Sequence, residues 1–485
     1  MLPYALMSLS LMALRQAPAG TQLHIRLNAP VGTYSSKAGS PVSAVLIAPV
    51  ASIGGDTVLP VGSILNGTVK RVQRVGFGLM HETAGLDLEF HEIALPDGPS
   101  LPIATRVTDI DNGRERVTDE GNILGVRTTS SIAYRASGYI RTALAWEVHA
   151  RLAFWAVKTL LIQVPEPEIY YASGAELTLW LTKPVASAAR EPRGDGMLTE
   201  EQRAHLEEQL TGMPYRSYTG SNRPSDLLNV ILIGSREDIA DAFKAAGWSE
   251  SKPQTWRSRL NDIRAVVEGR GDRAAPMSKL FVNDVEPGVS FQKGLNDVAK
   301  RHHVRLWKQA AAWNGQEVWV GAATRDVDFA YLRPGQALTH RIEQDIDLER
   351  DKIVRDLEFT TCTSLVNWWD RPGTPSNAHN ATGDPMSTDG RVAIVQLTEC
   401  AAPRGIDEAP QLRIHGNYFQ RLARRQILSV RSDFYRRNLY WRTYEGTRWM
   451  VLAVRHRHPR SPEFRPTDGV ADSLLTRARN SSWLR

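Results

Sequence analysis

The sequence predicts an α+β protein in three parts: an N-terminal β-rich sandwich or barrel with an accessory helix, an α+β domain, and a β-rich basic C-terminal extension. Short apolar segments separated by glycine and proline predict the first part. Alternating strand-like and helix-like patterns predict the second, and an arginine- and aromatic-rich end predicts the third. A chain of 485 residues, 42% apolar and 23% charged, is typical of a soluble protein with two to four domains.

The β-rich domain is expected over residues 20–190, because one strand pattern occurs near each of its ends. Residues 20–31 read GTQLHIRLNAPV and residues 174–185 read GAELTLWLTKPV, with apolar side chains at alternate positions. Such alternation is typical of a half-buried strand. The two copies indicate either a duplicated module or two matching strands of one sheet. We favour the second, because the intervening sequence shows no fixed repeat.

An accessory helix is expected within this domain at residues 140–160. Its apolar side chains follow a near-helical spacing, at Ile140, Leu144, Val148, Leu152 and Trp155. We expect this helix to pack on the β-rich domain, although its tryptophan-rich face also suits contact with a membrane surface. Residues 191–224 then predict a linker that holds one acidic helix at residues 199–210.

The α+β domain is expected over residues 225–410. It opens with a strand at residues 227–233, and Ser235 with Asp238 starts a capped helix that Gly247 ends. The apolar face of a second amphipathic helix is Trp256, Leu260, Ile263 and Val267. The apolar face of a later helix is Ile346, Ile353, Val354 and Leu357.

Six longer phrases stand out in this domain. They are LNVILIGSREDIADAFKAAGW, SKLFVN, RHHVRLW, VWVGAATRD, THRIEQDIDLERD and GDPMSTDGRVAIVQL. Together they resemble the bacterial LssY C-terminal domain family over about residues 225–400. The resemblance implies a module that is often joined to membrane-embedded segments of the phosphatidic-acid-phosphatase or DedA type. Because the phosphatase motifs are absent from this sequence, the resemblance implies no lipid phosphatase activity and no catalytic residue.

The first residues predict an export signal. Residues 1–14 are almost wholly apolar and residues 17–19 read APA, a small-x-small cleavage pattern, so residues 1–19 are interpreted as a signal peptide. The expected location is extracytoplasmic, either periplasmic or envelope-associated. No positive charge precedes the apolar run, which leaves a short membrane anchor or a cytoplasmic chain open. In an exported protein Cys362 and Cys400 could form a disulfide; two buried thiols are the alternative.

A basic strand at residues 301–307, RHHVRLW, is the first candidate for a site. A strand sends alternate side chains to opposite faces, so His302 and its two neighbours point in opposite directions. The face away from His302 carries Arg301, His303 and Arg305. This face suits an anion such as phosphate or carboxylate, and Ser235 at a strand-to-helix junction could add backbone donors. The alternative is a solvated basic face.

The second candidate is a metal-dependent hydrolase site, for example for phosphoesters. A divalent transition metal would be held by His340, Asp345 and Asp326 together with His302 or His303. The candidates for catalysis are Asp326, Arg325 and Arg301, with the arginines stabilising charge. No standard metal motif such as HExxH is present. Acids near a helix start are also explained by the helix dipole, and an acid after a strand by a turn.

The C-terminal extension, residues 411–485, carries sixteen arginines, no lysine and five acids, a net charge of +11. Two aromatic-rich runs around Glu445-Gly446 predict a β-hairpin. The basic charge suits an anionic envelope component, a membrane surface, or the acidic remainder of the chain. The lack of a nucleic-acid fold signature argues against nucleic acid. The sequence thus predicts an extracytoplasmic protein whose β-rich domain scaffolds or docks and whose α+β domain binds an anionic envelope ligand, with the hydrolase as the alternative.

Overall fold

The computed structural model describes most of the chain between residues 15 and 447. The described residues are 15–52, 57–77, 81, 83–96, 98–127, 146–161, 165–187, 198–252, 255, 265, 268, 277–297, 299–331, 338–400, 417–437, 443 and 447. Most of the predicted signal peptide and most of the helix predicted at residues 256–267 lie outside the described residues.

The N-terminal domain contains short strands and one helix. The strands are β1 (Arg15–Ala17), β2 (Gln22–Leu27), β3 (Val31–Gly32), β4 (Pro41–Leu46), β5 (Val50–Ala51), β6 (Thr57–Leu59), β7 (Ile64–Gln73), β8 (Gly85–Ala94), β9 (Ser100–Pro102), β10 (Thr105–Ile110), β11 (Arg116–Val117), β12 (Asn122–Leu124), β13 (Tyr170–Tyr171), β14 (Glu176–Leu181) and β15 (Val185–Ser187). The helix is α1 (Val148–Leu161).

One nine-stranded antiparallel sheet forms most of this domain. Its strand order is β10-β14-β2-β4-β7-β8-β12-β11, with β9 beside β8. Because β10 also lies against β8 and β11, the sheet curls into a near-barrel around one apolar core. At Gly67 the strands β7 and β8 come so close that a Cβ atom would lie 2.2 Å from the Glu89 carbonyl oxygen. A residue without a side chain is therefore required there.

The two matching strand patterns pair with each other. Strands β2 and β14 are antiparallel neighbours, with Leu177 opposite Ile25 and Leu179 opposite Leu23. These four side chains are buried in the core of the near-barrel. The prediction of two matching strands in one sheet is confirmed.

The second domain alternates helices with strands. Its elements are α2 (Glu200–Leu210), β16 (Arg216–Tyr218), β17 (Pro224–Leu227), β18 (Val230–Ile233), α3 (Arg236–Ala245), β19 (Ser249–Glu250), β20 (Val289–Lys293), β21 (Arg301–Trp313), β22 (Gln316–Tyr331), β23 (Leu338–Ile342), α4 (Asp347–Phe359), β24 (Thr363–Asp370), β25 (Asn377–His379), β26 (Pro385–Ser387) and β27 (Arg391–Leu397).

An eight-stranded sheet in the order β19-β20-β21-β22-β18-β27-β24, with β23 beside β22, is the centre of this domain. Strands β18 and β27 are parallel, and the other neighbours in the sheet are antiparallel. Val230 and Leu232 point into the core formed with α3 and α4, while Ile231 and Ile233 point into a second core on the other face. A strand buried on both faces is apolar without interruption, as in the VILI sequence of β18.

The acidic helix of the predicted linker is part of this second domain. Helix α2 begins at the cap residue Thr199, as predicted, and buries Leu206 and Leu210 against Trp307 and Trp313. Residues 200–210 therefore cover the outer face of the sheet and do not form a free connection. The capped start of α3 at Ser235 and Asp238 is also confirmed.

Helix α1 does not pack as predicted. Val148 and Leu152, expected in contact with the β-rich domain, are exposed, as are Val157 and the preceding Trp146. None of the helices in the described part of the chain is both long and apolar enough to cross a membrane. The apolar side chains of Val148, Leu152 and Val157 lie on the surface of the protein.

The described part of the C-terminal extension is mainly helical, and most of the predicted β-hairpin, including its turn at Glu445-Gly446, lies outside the described residues. Helix α5 spans Tyr418–Arg437, and Thr443 and Thr447 are also helical. The buried positions of α5, Arg424 and Leu428, are four residues apart, which is the spacing of one helix face. The hairpin prediction rested on arginine and aromatic residues whose spacing is similar to the alternation of a strand.

Cys362 and Cys400 form a disulfide. Cys362 precedes β24 and Cys400 follows β27, so the bond joins the ends of two paired strands. The bond closes a loop with a sequence separation of 38 residues.

Removing this disulfide should destabilise the second domain. We expect a Cys362→Ala/Cys400→Ala variant to lose about 2–4 kcal/mol of unfolding free energy, because a closed loop of this length restricts the unfolded chain. Denaturant unfolding of oxidised wild type and of the variant measures the difference. Equal stability would show that the strand pairing alone holds these ends.

Candidate functional site

A buried layer of charged side chains joins the two domains. We call it the interdomain ionic layer; its members are Arg26, Glu176, Lys293, Lys352 and Asp356. Each of the five is at most 9% exposed. Arg26 and Glu176 lie opposite each other on β2 and β14 of the near-barrel. The other three belong to β20 and α4 of the second domain.

Glu176 is the centre of this layer. Its Oε1 accepts hydrogen bonds from Arg26 Nη2 and Lys293 Nζ, both at 2.6 Å, and its Oε2 accepts one from Lys352 Nζ at 2.6 Å. Asp356 accepts from Lys293 Nζ at 2.8 Å and from Trp248 Nε1 at 2.8 Å. A carboxylate of the first domain is thus bound by two ammonium groups of the second.

The charges of this layer stabilise one another. Burial alone would raise the pKa of Glu176, but Lys293 and Lys352 lower it to about 2. Burial lowers the pKa of Lys293. It would lower that of Lys352 too, but Asp356 and Glu176 raise it well above the usual lysine value. Both carboxylates and Lys352 are therefore ionised throughout the neutral range.

His302 extends the layer along the domain interface. Its Nδ1 lies 2.5 Å from Glu349 Oε2 in α4, and its Nε2 lies 2.9 Å from both oxygens of Asp111, which follows β10. Arg325, opposite His302 on β22, donates to Asp111 at 3.2 Å. Burial would lower the pKa of His302, but the carboxylates of Asp111 and Glu349 raise it. The raised pKa favours the imidazolium form of His302, in which one ring N–H faces Asp111 of the first domain and the other faces Glu349 of the second.

The loop after β10 fits into the second domain beside this layer. Asn112 Nδ2 donates to the Lys293 carbonyl oxygen at 3.1 Å, and Asn296 Nδ2 donates to Glu115 at 2.8 Å. A small cavity of about 70 Å³ opens here, lined in part by Asp111, Glu176 and Lys293. Substrate pockets commonly measure roughly 300–1,000 Å³, so this cavity has room for a few water molecules.

His303 faces the other side of the sheet, as the strand alternation predicted. Its Nδ1 lies 3.7 Å from Asp326 Oδ1, its Nε2 lies 2.7 Å from Thr324 Oγ1, and Arg301 donates to Asp326 Oδ2 at 3.1 Å. His340 Nδ1 from β23 lies 3.6 Å from Asp326 Oδ2. Four of the predicted residues, Arg301, His303, Asp326 and His340, therefore meet.

Asp326 and His303 differ in charge. Burial would raise the pKa of Asp326, but His303, His340 and Arg301 lower it to about 2. Burial lowers the pKa of His303 to about 3. At neutral pH Asp326 is therefore a carboxylate beside a neutral His303.

The cations and donors of the predicted anion site already have partners within the protein. Arg301 is paired with Asp326, and Arg305 donates to Asp226 at 3.2 Å and to Ser278. Ser235 accepts from the backbone of Asp238 as a helix cap. A further anion would compete with each of these buried or short-range contacts.

The residues predicted for metal binding and catalysis are also divided between two faces. His302 and Arg325 lie on the domain interface, whereas His303, His340 and Asp326 lie on the opposite face. Asp345 is exposed before α4, where its carboxylate accepts from the backbone of Asp347. No group of three or more histidine, cysteine or acidic side chains in the described segments could hold a metal ion. The metal hypothesis thus lacks a ligand set there.

Sequence reasoning missed the members of the interdomain ionic layer and Asp111. One signal was present in α4: Glu349, Lys352 and Asp356 follow the spacing of a single helix face and lie beside the apolar Ile353 and Leu357. A charged stripe at that spacing is usually solvated, so only the packing of the second domain on the near-barrel shows that it is buried.

The fold and this interface define a two-domain protein in which a near-barrel is joined to an α+β module by buried ion pairs. Residues 210–392 match the family model of the LssY C-terminus, which supports assigning this part of the chain to the LssY C-terminal domain family. The resemblance noted in the sequence is confirmed.

Two further comparisons add little. The chain has no significant match among curated protein sequences. A solved structure of ComB10 of the Com type IV secretion system of Helicobacter pylori is similar over 37% of this chain and 93% of that chain, with 12% identity and a TM-score of 0.21. A TM-score this low does not establish a shared fold.

Glu176→Gln should weaken the domain interface strongly. Removing one partner of a buried ionic network leaves charges uncompensated, and we expect a loss of about 3–5 kcal/mol of unfolding free energy. The control is Glu89→Gln, which removes an exposed partner of Lys70 and should change stability by less than about 1 kcal/mol. Denaturant unfolding compares both with wild type. Similar losses in the two variants would contradict a special role for the layer.

The adjacent histidines should affect pH-dependent stability in opposite directions. The raised pKa of His302 stabilises the fold below pH ~6.5, and this stabilisation is lost as the pH rises through its folded value. The pKa of His303, lowered to about 3, destabilises the fold as the pH falls below ~6.5, by up to about 1.4 kcal/mol per pH unit.

The stability deficit of His302→Gln should therefore be largest under mildly acidic conditions and shrink as the pH rises. For His303→Gln, stability relative to wild type should improve on acidification from pH 6.5 to 4.5. Unfolding curves at several pH values test both. Parallel profiles for the two variants would refute the assigned charge states.

Proposed function

We propose that this chain is an extracytoplasmic bacterial adaptor that binds an anionic envelope component through its basic C-terminal helix α5. The near-barrel and the LssY-like domain form the supporting body, held together by the interdomain ionic layer. The expected export signal supports the location, and the Cys362–Cys400 disulfide is compatible with an oxidising compartment.

The position of α5 is the observation that carries this proposal. Within α5, Arg424 is buried and pairs with Glu166 at 2.5 Å and Glu168 at 3.5 Å. Glu168 also accepts from the backbone of Val75 and Gly76 at 2.9 Å. Leu428, one turn further along, is buried in the core of the near-barrel. The helix is therefore fastened to the first domain by one ion-pair network and one apolar contact.

The charge of α5 favours an anionic partner. The helix holds six arginines and one aspartate, and the region from residue 411 onward has a net charge of +11. The sequence also suggested the acidic remainder of the chain as a partner for this region. It supplies Glu166 and Glu168, which pair with Arg424. In the LssY-like domain, Arg301 and Arg305 are each paired with a neighbouring carboxylate. The excess of arginine over acidic residues in α5 supports an anionic ligand at this helix.

A charge-reduced helix tests this proposal. The variant is Arg421→Gln/Arg425→Gln/Arg431→Gln, which keeps Arg424 and Leu428. We expect binding to soluble inorganic polyphosphate to weaken by roughly 10- to 100-fold, because each arginine near an anionic surface contributes about 1 kcal/mol. Wild-type affinity should also fall as salt is added. Fluorescence titration of the folded full chain measures both effects.

A matched control separates position from net charge. Lys70→Gln/Lys279→Gln/Lys308→Gln removes three exposed positive charges from strands and a loop outside α5. We expect it to bind nearly as wild type does. If both variants weaken binding equally, or if wild type does not bind, the role assigned to α5 is wrong.

A further inference from the structure

We infer that the anionic component is a lipid bilayer and that α5 lies along it with its exposed apolar face in the acyl boundary. This inference rests on the proposed function and names its partner. The supporting observation is the set of apolar side chains that α5 exposes on the side facing away from the near-barrel.

The exposed face of α5 is apolar along four turns. Its members recur at intervals of three or four residues and fall within an arc of about 80° on a helix. They are Phe419, Ala423, Ile427, Val430 and Phe434. The four large ones are 74%, 43%, 57% and 61% exposed, in that order. Arg424 and Leu428 lie on the opposite side and hold the helix to the first domain.

This arrangement is the reverse of an ordinary surface helix, which turns its apolar side inward and its charges to water. Here Arg424 points inward to buried carboxylates beside the buried Leu428, and the four other large apolar side chains named above point outward. A contiguous exposed apolar face of this kind marks an interaction surface. Its partner must accept apolar side chains and tolerate a strongly basic neighbourhood.

A bilayer with anionic headgroups meets both conditions. Apolar helix faces enter the boundary between headgroups and acyl chains, and arginines contact anionic headgroups while their stems stay in apolar surroundings. The net charge of +11 beyond residue 410 complements such a surface. A soluble polyanion would satisfy the arginines but would leave the exposed Ile427 and Val430 in contact with water.

Helix α1 adds a second apolar surface to the same part of the near-barrel. Val148, Leu152 and Val157 of α1 are exposed. The helix ends at Leu161, five residues before Glu166, which Arg424 of α5 binds. Five residues span at most about 17 Å. The C-terminal end of α1 is thus held near the place where Arg424 fastens α5 to the first domain.

The test uses full-length protein and two kinds of vesicle, one of phosphatidylcholine and one that also contains phosphatidylglycerol. Wild type should co-sediment with the anionic vesicles, and this binding should weaken with salt. A Phe419→Gln/Val430→Gln/Phe434→Gln variant should bind them about 100-fold more weakly, because three large apolar side chains no longer enter the acyl boundary. Its binding to polyphosphate should be unchanged.

The matched control is Phe77→Gln/Val285→Gln/Leu348→Gln, which changes three other exposed apolar side chains. It should bind vesicles as wild type does, and circular dichroism should show that both variants are folded. The inference is supported if vesicle binding is lost in the α5 variant and kept in the control variant.

Three outcomes overturn it. The α5 variant could bind vesicles as tightly as wild type. Wild type could bind polyphosphate and ignore vesicles, which would leave the proposed function standing and remove the bilayer. Wild type could instead self-associate through this face, with the α5 variant monomeric and vesicles not bound. Failure to bind either probe would remove the proposed function as well.

Discussion

The carboxylate of Glu176 holds the two domains together. It is buried and accepts hydrogen bonds from Arg26 of its own domain and from Lys293 and Lys352 of the other. A buried carboxylate without such partners would be too costly to keep ionised. Each domain therefore completes the electrostatics of the other, and the apolar contact of Phe359 with Val45 and Ile47 lies alongside. This contact orients the LssY-like domain against the near-barrel.

Local sequence patterns correctly predicted those elements whose apolar positions, read from side-chain spacing, are the positions that the structure buries. The paired strands β2 and β14, the capped start of α3 and the acidic helix α2 each follow from a short segment. Local patterns failed for segments whose burial or secondary structure depends on contacts with distant parts of the chain. Helix α1 has the composition of a buried helix but exposes Leu152 and Val157. The tail has aromatic residues typical of strands, yet its described part is helical.

The candidate site also has parts that local patterns predict and parts that depend on residues distant in sequence. Strand alternation correctly separated His302 from His303, because that geometry is local. The partners of these residues are distant in sequence: Asp111 lies 191 residues from His302, and Glu176 lies 176 residues from Lys352. No periodicity relates such positions, so a single sequence cannot reveal the layer. The same distance explains why the basic residues of the strand looked available to an anion when Asp326 and Asp226 already bind them.

The adjacent imidazoles on β21 have one more consequence. Sliding this strand by one position against β22 would place His303 between Asp111 and Glu349 in one direction, or His302 beside Asp326 and Thr324 in the other. Either slide breaks the contacts that the two rings make in the observed alignment. The dipeptide therefore favours the observed pairing, in a strand whose alanine-rich far end, QAAAW, offers little shape to define its alignment.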